Sequence, residues 1–193
     1  MRDGIPTQSY QRLADAYAES LGVTAEWVYV DGFDELLPAI AEGRADAVIT
    51  NMTVTKQRAA DWLFTRPLTY ISEVVVSAAP IPELDSITAI AVPEGTAYVE
   101  SLKKKLGDDF PIKLLPSATS DTDVLAAISK GSVAASVIDS NVAQVLLQDF
   151  PKLQLGPVVS EKRPIAWALR KGNPLLHESI NTCLLYTSDA ADD

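Results

Sequence analysis

A nine-residue pattern occurs twice in this chain and limits the fold more than any other feature. Glu35-Leu36-Leu37-Pro38-Ala39-Ile40-Ala41-Glu42-Gly43 is echoed 88 positions later by Asp123-Val124-Leu125-Ala126-Ala127-Ile128-Ser129-Lys130-Gly131. In both, apolar residues recur at three and four, the spacing of a helix with one buried face, and a glycine stands where the helix must stop. Each glycine is followed by a short apolar run, Ala45 to Thr50 and Ala134 to Ile138, suited to a strand covered on both faces. Each run delivers a polar residue at the same offset, Asn51 in the first and Asp139 in the second. Any helix–glycine–strand unit would look similar, but two in one register point to an α/β fold of two related units. Ligands in open α/β sheets bind beyond the carboxyl ends of strands. Asn51 and Asp139 are therefore expected at two sheet rims, and facing sheets would make one cleft of them.

The rest of the chain fits alternation. Tyr10, Leu13, Ala14, Tyr17, Ala18 and Leu21 form an apolar stripe that predicts a helix over 9–21, closed by Gly22. Strands are predicted at Thr24 to Val30, Glu73 to Ala79, Ile87 to Val92 and Ile112 to Leu115, with a return strand at Pro164 to Arg170. Further helices are predicted at Tyr98 to Leu106, at Val142 to Phe150 and after Asn173-Pro174. Alternating elements of this kind imply a parallel sheet with crossovers. Pro80-Ile81-Pro82 marks a boundary. The expected division is a first lobe over 1–79, a second lobe over 80–160, a return crossover and helix over 161–182, and a tail over 183–193.

Composition removes several function classes. The 193 residues include 26 acidic and 16 basic ones, a net charge of −10 that opposes binding a polyanion, so no nucleic acid is expected as a partner. Lys103, Lys104 and Lys105 read as a solvated helix face. Cys183 is the single cysteine and His177 the single histidine. No metal-ligand spacing or nucleophile–base set is therefore legible, and no cofactor, metal or catalytic residue is assigned. His177 reads as a surface residue, Arg66 as solvent-facing, and Trp27, Trp62 and Trp167 as packing residues. No stretch has the roughly 18 apolar residues of a membrane span, and no signal-peptide core follows Met1.

Asn51-Met52-Thr53-Val54-Thr55-Lys56-Gln57-Arg58, with Phe64 and Pro67 downstream, resembles the G-M-T-x-T-x-x-R segment of the extracellular solute-binding proteins of polar amino-acid transporters. The helix Leu36 to Gly43 with Arg44-Ala45-Asp46 is similar to the same family. The resemblance implies a periplasmic-binding-protein-like type II fold: two doubly wound lobes joined by two crossover strands, near 77–82 and 158–167. It implies that Arg58 binds a ligand carboxylate and that Thr53 assists with hydroxyl and amide. A planar guanidinium suits that task because it meets a carboxylate in bidentate fashion. It also implies that the turn Gly95-Thr96-Ala97 offers helix N-terminal amides to the same carboxylate, and that Asp139 pairs with an α-ammonium group. Asp is equally a favoured helix cap, so Asp139 has two readings at this point. Asn51 stands where the family has glycine, and Gln8-Ser9-Tyr10-Gln11-Arg12 replaces an acidic segment, which leaves the ligand open.

The resemblance further implies a small amino-acid-like ligand, a monomer, a permease of an ABC transporter as partner, and a periplasmic or extracytoplasmic location. The family's first strand has no counterpart ahead of the first helix, and the last eleven residues resemble translated adapter sequence that trails some metagenomic reading frames, so the chain reads as a piece of a longer protein. Lys162 to Pro174 is similar to membrane-bound lytic transglycosylases of the F type, whose solute-binding-like domain precedes a murein-cleaving one. The alternative is therefore a sensory or regulatory domain of such an enzyme. An enzyme built on this fold itself finds no convergent acid/base set.

Overall fold

The computed structural model describes residues 5–189, with side chains from 9 to 185. Fifteen helices and strands follow one another, with short 3-10 turns between some of them: α1 (Ile5–Ser20), α2 (Leu36–Ala41), β1 (Ala47–Val48), α3 (Lys56–Asp61), β2 (Trp62–Phe64), β3 (Thr69–Ser77), β4 (Ile90–Pro93), α4 (Tyr98–Leu106), β5 (Ile112–Leu115), α5 (Asp121–Ser129), β6 (Ala135–Asp139), α6 (Ser140–Leu146), β7 (Gln154–Ile165), β8 (Ala168–Arg170) and α7 (Pro174–Asp189). They divide into two compact units. The first holds residues 6–30, 35–70 and 164–189, and the second holds 31–34 and 71–163. The chain changes unit inside β3, between Tyr70 and Ile71, rather than at Pro80-Ile81-Pro82, and returns between Arg163 and Pro164.

The first unit is built on a three-stranded sheet in the order β1-β8-β2, both pairs antiparallel. Trp167, Leu169, Ala14, Ile180 and Leu184 form its buried core. Tyr10 on α1 meets the ring of Trp167 edge-on, 6.4 Å between centroids. The Tyr17 hydroxyl donates to Ser179 Oγ at 2.8 Å, linking α1 to α7. Thr24 to Val30 lies in no sheet, against expectation: β-branched and aromatic composition favours a strand only where the tertiary setting supplies a ladder. The helical pattern also continues past Cys183 to Asp189, since Leu176, Ile180 and Leu184 keep a four-residue stripe on the core. Residues 190–193 of the expected tail lie outside the described residues.

The second unit holds the sheet β6-β3-β7 and the parallel pair β4–β5. Val75 and Val76 on β3 face opposite sides, as strand alternation requires, and each enters a separate apolar cluster. One cluster gathers Val124, Leu125 and Ile128 of α5, and the other gathers Tyr98 and Leu102 of α4. A strand covered on both faces explains the unbroken run Val74-Val75-Val76. Parallel pairing holds for β4 with β5, whereas β3 with β6 is antiparallel.

Both copies of the repeated pattern end alike. Gly43 has φ +75° and Gly131 φ +77°, a left-handed conformation that suits glycine. Arg44 N–H donates to Ala39 O (2.9 Å) and Ser132 N–H to Ala127 O (3.0 Å), while each glycine N–H reaches the residue three before it, so both helices close with the same Schellman turn. The strands that follow start at equivalent positions, Ala47 and Ala135, but β1 stops after two residues where β6 runs for five. Only Leu169 and Ala168 of β8 pair with β1, so the ladder ends before Asn51.

Candidate ligand-binding site

In the first unit, Asn51 to Val54 is fastened to the segment after β7. Thr53 forms an antiparallel bridge with Ile165. Val54 N–H donates to Pro164 O (2.9 Å) and Ala166 N–H to Met52 O (3.1 Å). Met52 is fully buried and its N–H donates to Thr50 O, so its side chain packs in the interior and its amide and carbonyl are both engaged. Asn51 is half-buried and Thr53 buried.

Five residues on, Arg58 sits in the first turn of α3. The helix begins where Thr55, in extended conformation, accepts a hydrogen bond from Arg58 N–H through its hydroxyl (3.2 Å). Arg58 Nη1 donates to Thr53 O at 2.8 Å. The guanidinium is thus held half-buried over the Thr53 carbonyl, not loose on an outer helix face. The bond to the carbonyl orients a planar fork of five donors, a shape that suits a bidentate acceptor.

In the second unit, Gly95, Thr96 and Ala97 form the turn between β4 and α4. Gly95 has φ +81°, and a Cβ there would stand 3.2 Å from the backbone nitrogen of Asp34, so the turn needs glycine twice over. The Thr96 hydroxyl donates to Pro93 O (2.8 Å), closing the turn on the strand end. Ala97 is buried at the N-cap of α4 and makes no side-chain cap.

Asp139 ends β6 and is only 5% exposed. It occupies the N-cap position of α6 but makes no cap hydrogen bond. Its carboxyl instead receives the hydroxyl of Tyr98, the first residue of α4, which brings the Gly95–Ala97 turn and Asp139 to one place. Burial pushes the Asp139 carboxyl up to about 7, with the charges of Asp121 and Glu73 adding to the shift. Burial likewise raises the Tyr98 hydroxyl well above its usual range, and the neighbouring Asp139 adds to that.

Three more polar residues join this site without having been singled out in the sequence. Glu73 is completely buried on β3, Arg163 Nε lies 3.3 Å from its Oε1, and Ser101 on α4 is buried beside them. A lone acid in the apolar run Ile71-Ser72-Glu73-Val74-Val75-Val76 was the available signal. Two other residues differ from expectation. His177 is partly buried, with Nε2 2.7 Å from Phe64 O, because α7 packs it on the end of β2. Arg66 has a buried Nη1 without a hydrogen-bond partner, and its N–H donates to Asn181 Oδ1. Among the described residues no group of three or more His, Cys, Asp or Glu could hold a metal ion, and no helix is long and apolar enough to cross a membrane.

Comparison with known proteins bears on the family and the fold. Residues 9–189 match the bacterial extracellular solute-binding proteins, family 3. An ancestral arginine-binding protein bound to arginine superposes with a TM-score of 0.81 at 28% identity, covering 93% of this chain and 81% of that one. The substrate binding protein of an amino acid ABC transporter gives 0.82 at 28% identity, covering 94% and 81%. The fold is therefore the mixed α/β, type II fold of periplasmic amino-acid-binding proteins. A relative named membrane-bound lytic murein transglycosylase F, from Desulfosudis oleivorans, is 26% identical over 175 residues, 88% of this chain but 38% of the relative's length. With the family match running through nearly all described residues, the chain belongs to the bacterial extracellular solute-binding proteins of family 3.

Proposed function

We propose that this chain captures an α-amino acid, with Arg58 and Thr53 taking the carboxylate, the Gly95–Ala97 turn assisting, and Asp139 taking the ammonium group. The observation that carries this reading is the fixing of Arg58 at both ends, its N–H on Thr55 and its guanidinium on the Thr53 carbonyl. An arginine held in place before the ligand arrives loses little freedom on binding. The neighbour bound to arginine makes L-arginine the first ligand to try. Delivery to an ABC transporter permease, by a monomer outside the cytoplasm, goes with the likeness to a transporter's binding protein. Arg58→Ala should weaken L-arginine binding by about 2 kcal/mol or more, since a buried carboxylate loses its charged partner. Calorimetry showing equal affinity in both proteins rules out this role for Arg58.

A second reading rests on the relative named lytic murein transglycosylase F, of which the chain spans 38%. On that reading the same binding unit serves as the sensory part of a larger enzyme. The reading frame around this sequence separates the two: a long continuation beyond α7 favours the enzyme, and a stop codon there favours transport.

A further inference from the structure

In the second unit, α4 and β7 flank a groove that shares no residue with the proposed amino-acid site. Its volume is about 410 Å³, and it is lined by Ser101, Lys104 and Lys105 of α4 and by residues 158–161 of β7. Spacings of three and four set Ser101, Lys104 and Lys105 on one side of the helix. On β7 the lining residues are consecutive. Successive side chains of a strand point to opposite faces, so the groove runs along the edge of the strand and not over one face. β7 is the outer strand in the order β6-β3-β7. Among the described residues, no backbone hydrogen bond outside the β3 ladder reaches residues 158–161.

Alternate residues of such an edge turn their N–H and C=O groups away from the ladder, which makes the edge a template for another strand. Proline and local departures from the extended conformation blunt edges of this kind. β7 has both, with Pro157 ahead of the groove and Lys162 at φ +52° after it. The four residues between them are strand throughout, and Val158 is 38% exposed. Pockets for small molecules are lined mainly by apolar side chains. Here Val158 and Val159 are the only two in the lining, beside two exposed lysines. Lys104 and Lys105 lie in the last turn of α4 and make no ion pair among the described residues. Glu161 is the single acid in the lining. A strand edge beside free cations suits a peptide, which meets backbone with backbone and lysine with carboxylate.

We propose that the groove between α4 and the outer edge of β7 receives an extended acidic segment of another protein, which continues the sheet along residues 158–161 and sets its carboxylates against Lys104 and Lys105. Backbone pairing supplies the attachment, and the two lysines select the sign of the partner. A second copy of the chain fits less well. Two molecules of net charge −10 repel each other, and antiparallel pairing of the same edge would bring both lysine pairs together. The proposal does not depend on amino-acid capture, since neither Arg58 nor Asp139 lines the groove.

Nitrogen-15 NMR of the full chain tests this with short acetylated and amidated peptides that alternate glutamate with valine or lysine with valine. The glutamate peptide should shift the amides of residues 158–161 and slow their exchange with solvent. It should bind at least about tenfold more tightly than the lysine peptide. Lys104→Glu combined with Lys105→Glu, both exposed positions, should reverse that order. Methylating alternate amides of the glutamate peptide removes its ladder donors and should abolish binding, and free L-glutamate should leave residues 158–161 unprotected. Equal binding of the methylated peptide, or protection by free L-glutamate, means a site for an anionic small molecule and overturns strand addition. Equal binding of the glutamate and lysine peptides overturns the acidic partner, and no response at residues 158–161 overturns the proposal whole. Sedimentation should find a monomer. A dimer that protects residues 158–161 makes a second copy the occupant and overturns it as well.

Discussion

Arg58 and Gly95 show how a single residue is fixed by its neighbours before any ligand is present. Arg58 depends on a carbonyl five residues earlier, and Gly95 on the absence of a side chain where Asp34 passes. At Gly95 two penalties act together. A residue with a Cβ is strained at φ +81°, at a cost of about 1 kcal/mol or more, and its Cβ would stand 3.2 Å from the backbone nitrogen of Asp34, so that Asp34 must give way. Gly95→Ala should therefore lower stability by about 1 to 3 kcal/mol and weaken ligand binding as the turn shifts. Equilibrium denaturation gives the first number and calorimetry the second. An unchanged midpoint would mean that Asp34 moves freely and that the turn tolerates a side chain.

At the scale of elements, α3 is the weakest support for the site. Its six residues include no buried one, so its position depends on the Thr55 cap more than on packing. Removing the hydroxyl in Thr55→Ala should cost about 1 kcal/mol of stability. It should also weaken amino-acid binding, because the cap bond is made to Arg58 itself, whereas Thr55→Ser should restore both. Loss of stability without loss of binding would separate Arg58 from its cap. What was legible in the sequence was greatest where local signals and burial agree. Tyr98 to Leu106 and Ile112 to Leu115 were read to the residue because glycine and proline bracket apolar runs. The twelve-residue β7 was expected only from about residue 158, as a crossover strand: Pro157 and Pro164 interrupt it, and Ser160-Glu161-Lys162-Arg163 is polar. The expected return strand at Pro164 to Arg170 is instead the end of β7 and then β8, separated by Ala166 and Trp167. Thr24 to Val30 erred the other way, with strand composition but a place in no sheet.

At the scale of the whole molecule, the repeated helix–glycine–strand pattern did most to reveal the fold, since both copies close with the same turn and open onto a strand. It did not reveal Glu73 or Arg163, which lie far apart in sequence and meet only because β3 and β7 share a sheet. The function proposed for the chain assigns the carboxylate of one small molecule to Arg58 and its ammonium group to Asp139. Headgroup dissection by calorimetry on the full chain tests this most directly, with L-arginine, its decarboxylated analogue agmatine and its deaminated analogue 5-guanidinovaleric acid. An unpaired buried charge on the protein side costs about 3 kcal/mol, so each analogue should bind on the order of a hundredfold more weakly than L-arginine above pH 8. Agmatine or 5-guanidinovaleric acid binding as tightly as L-arginine would contradict the account.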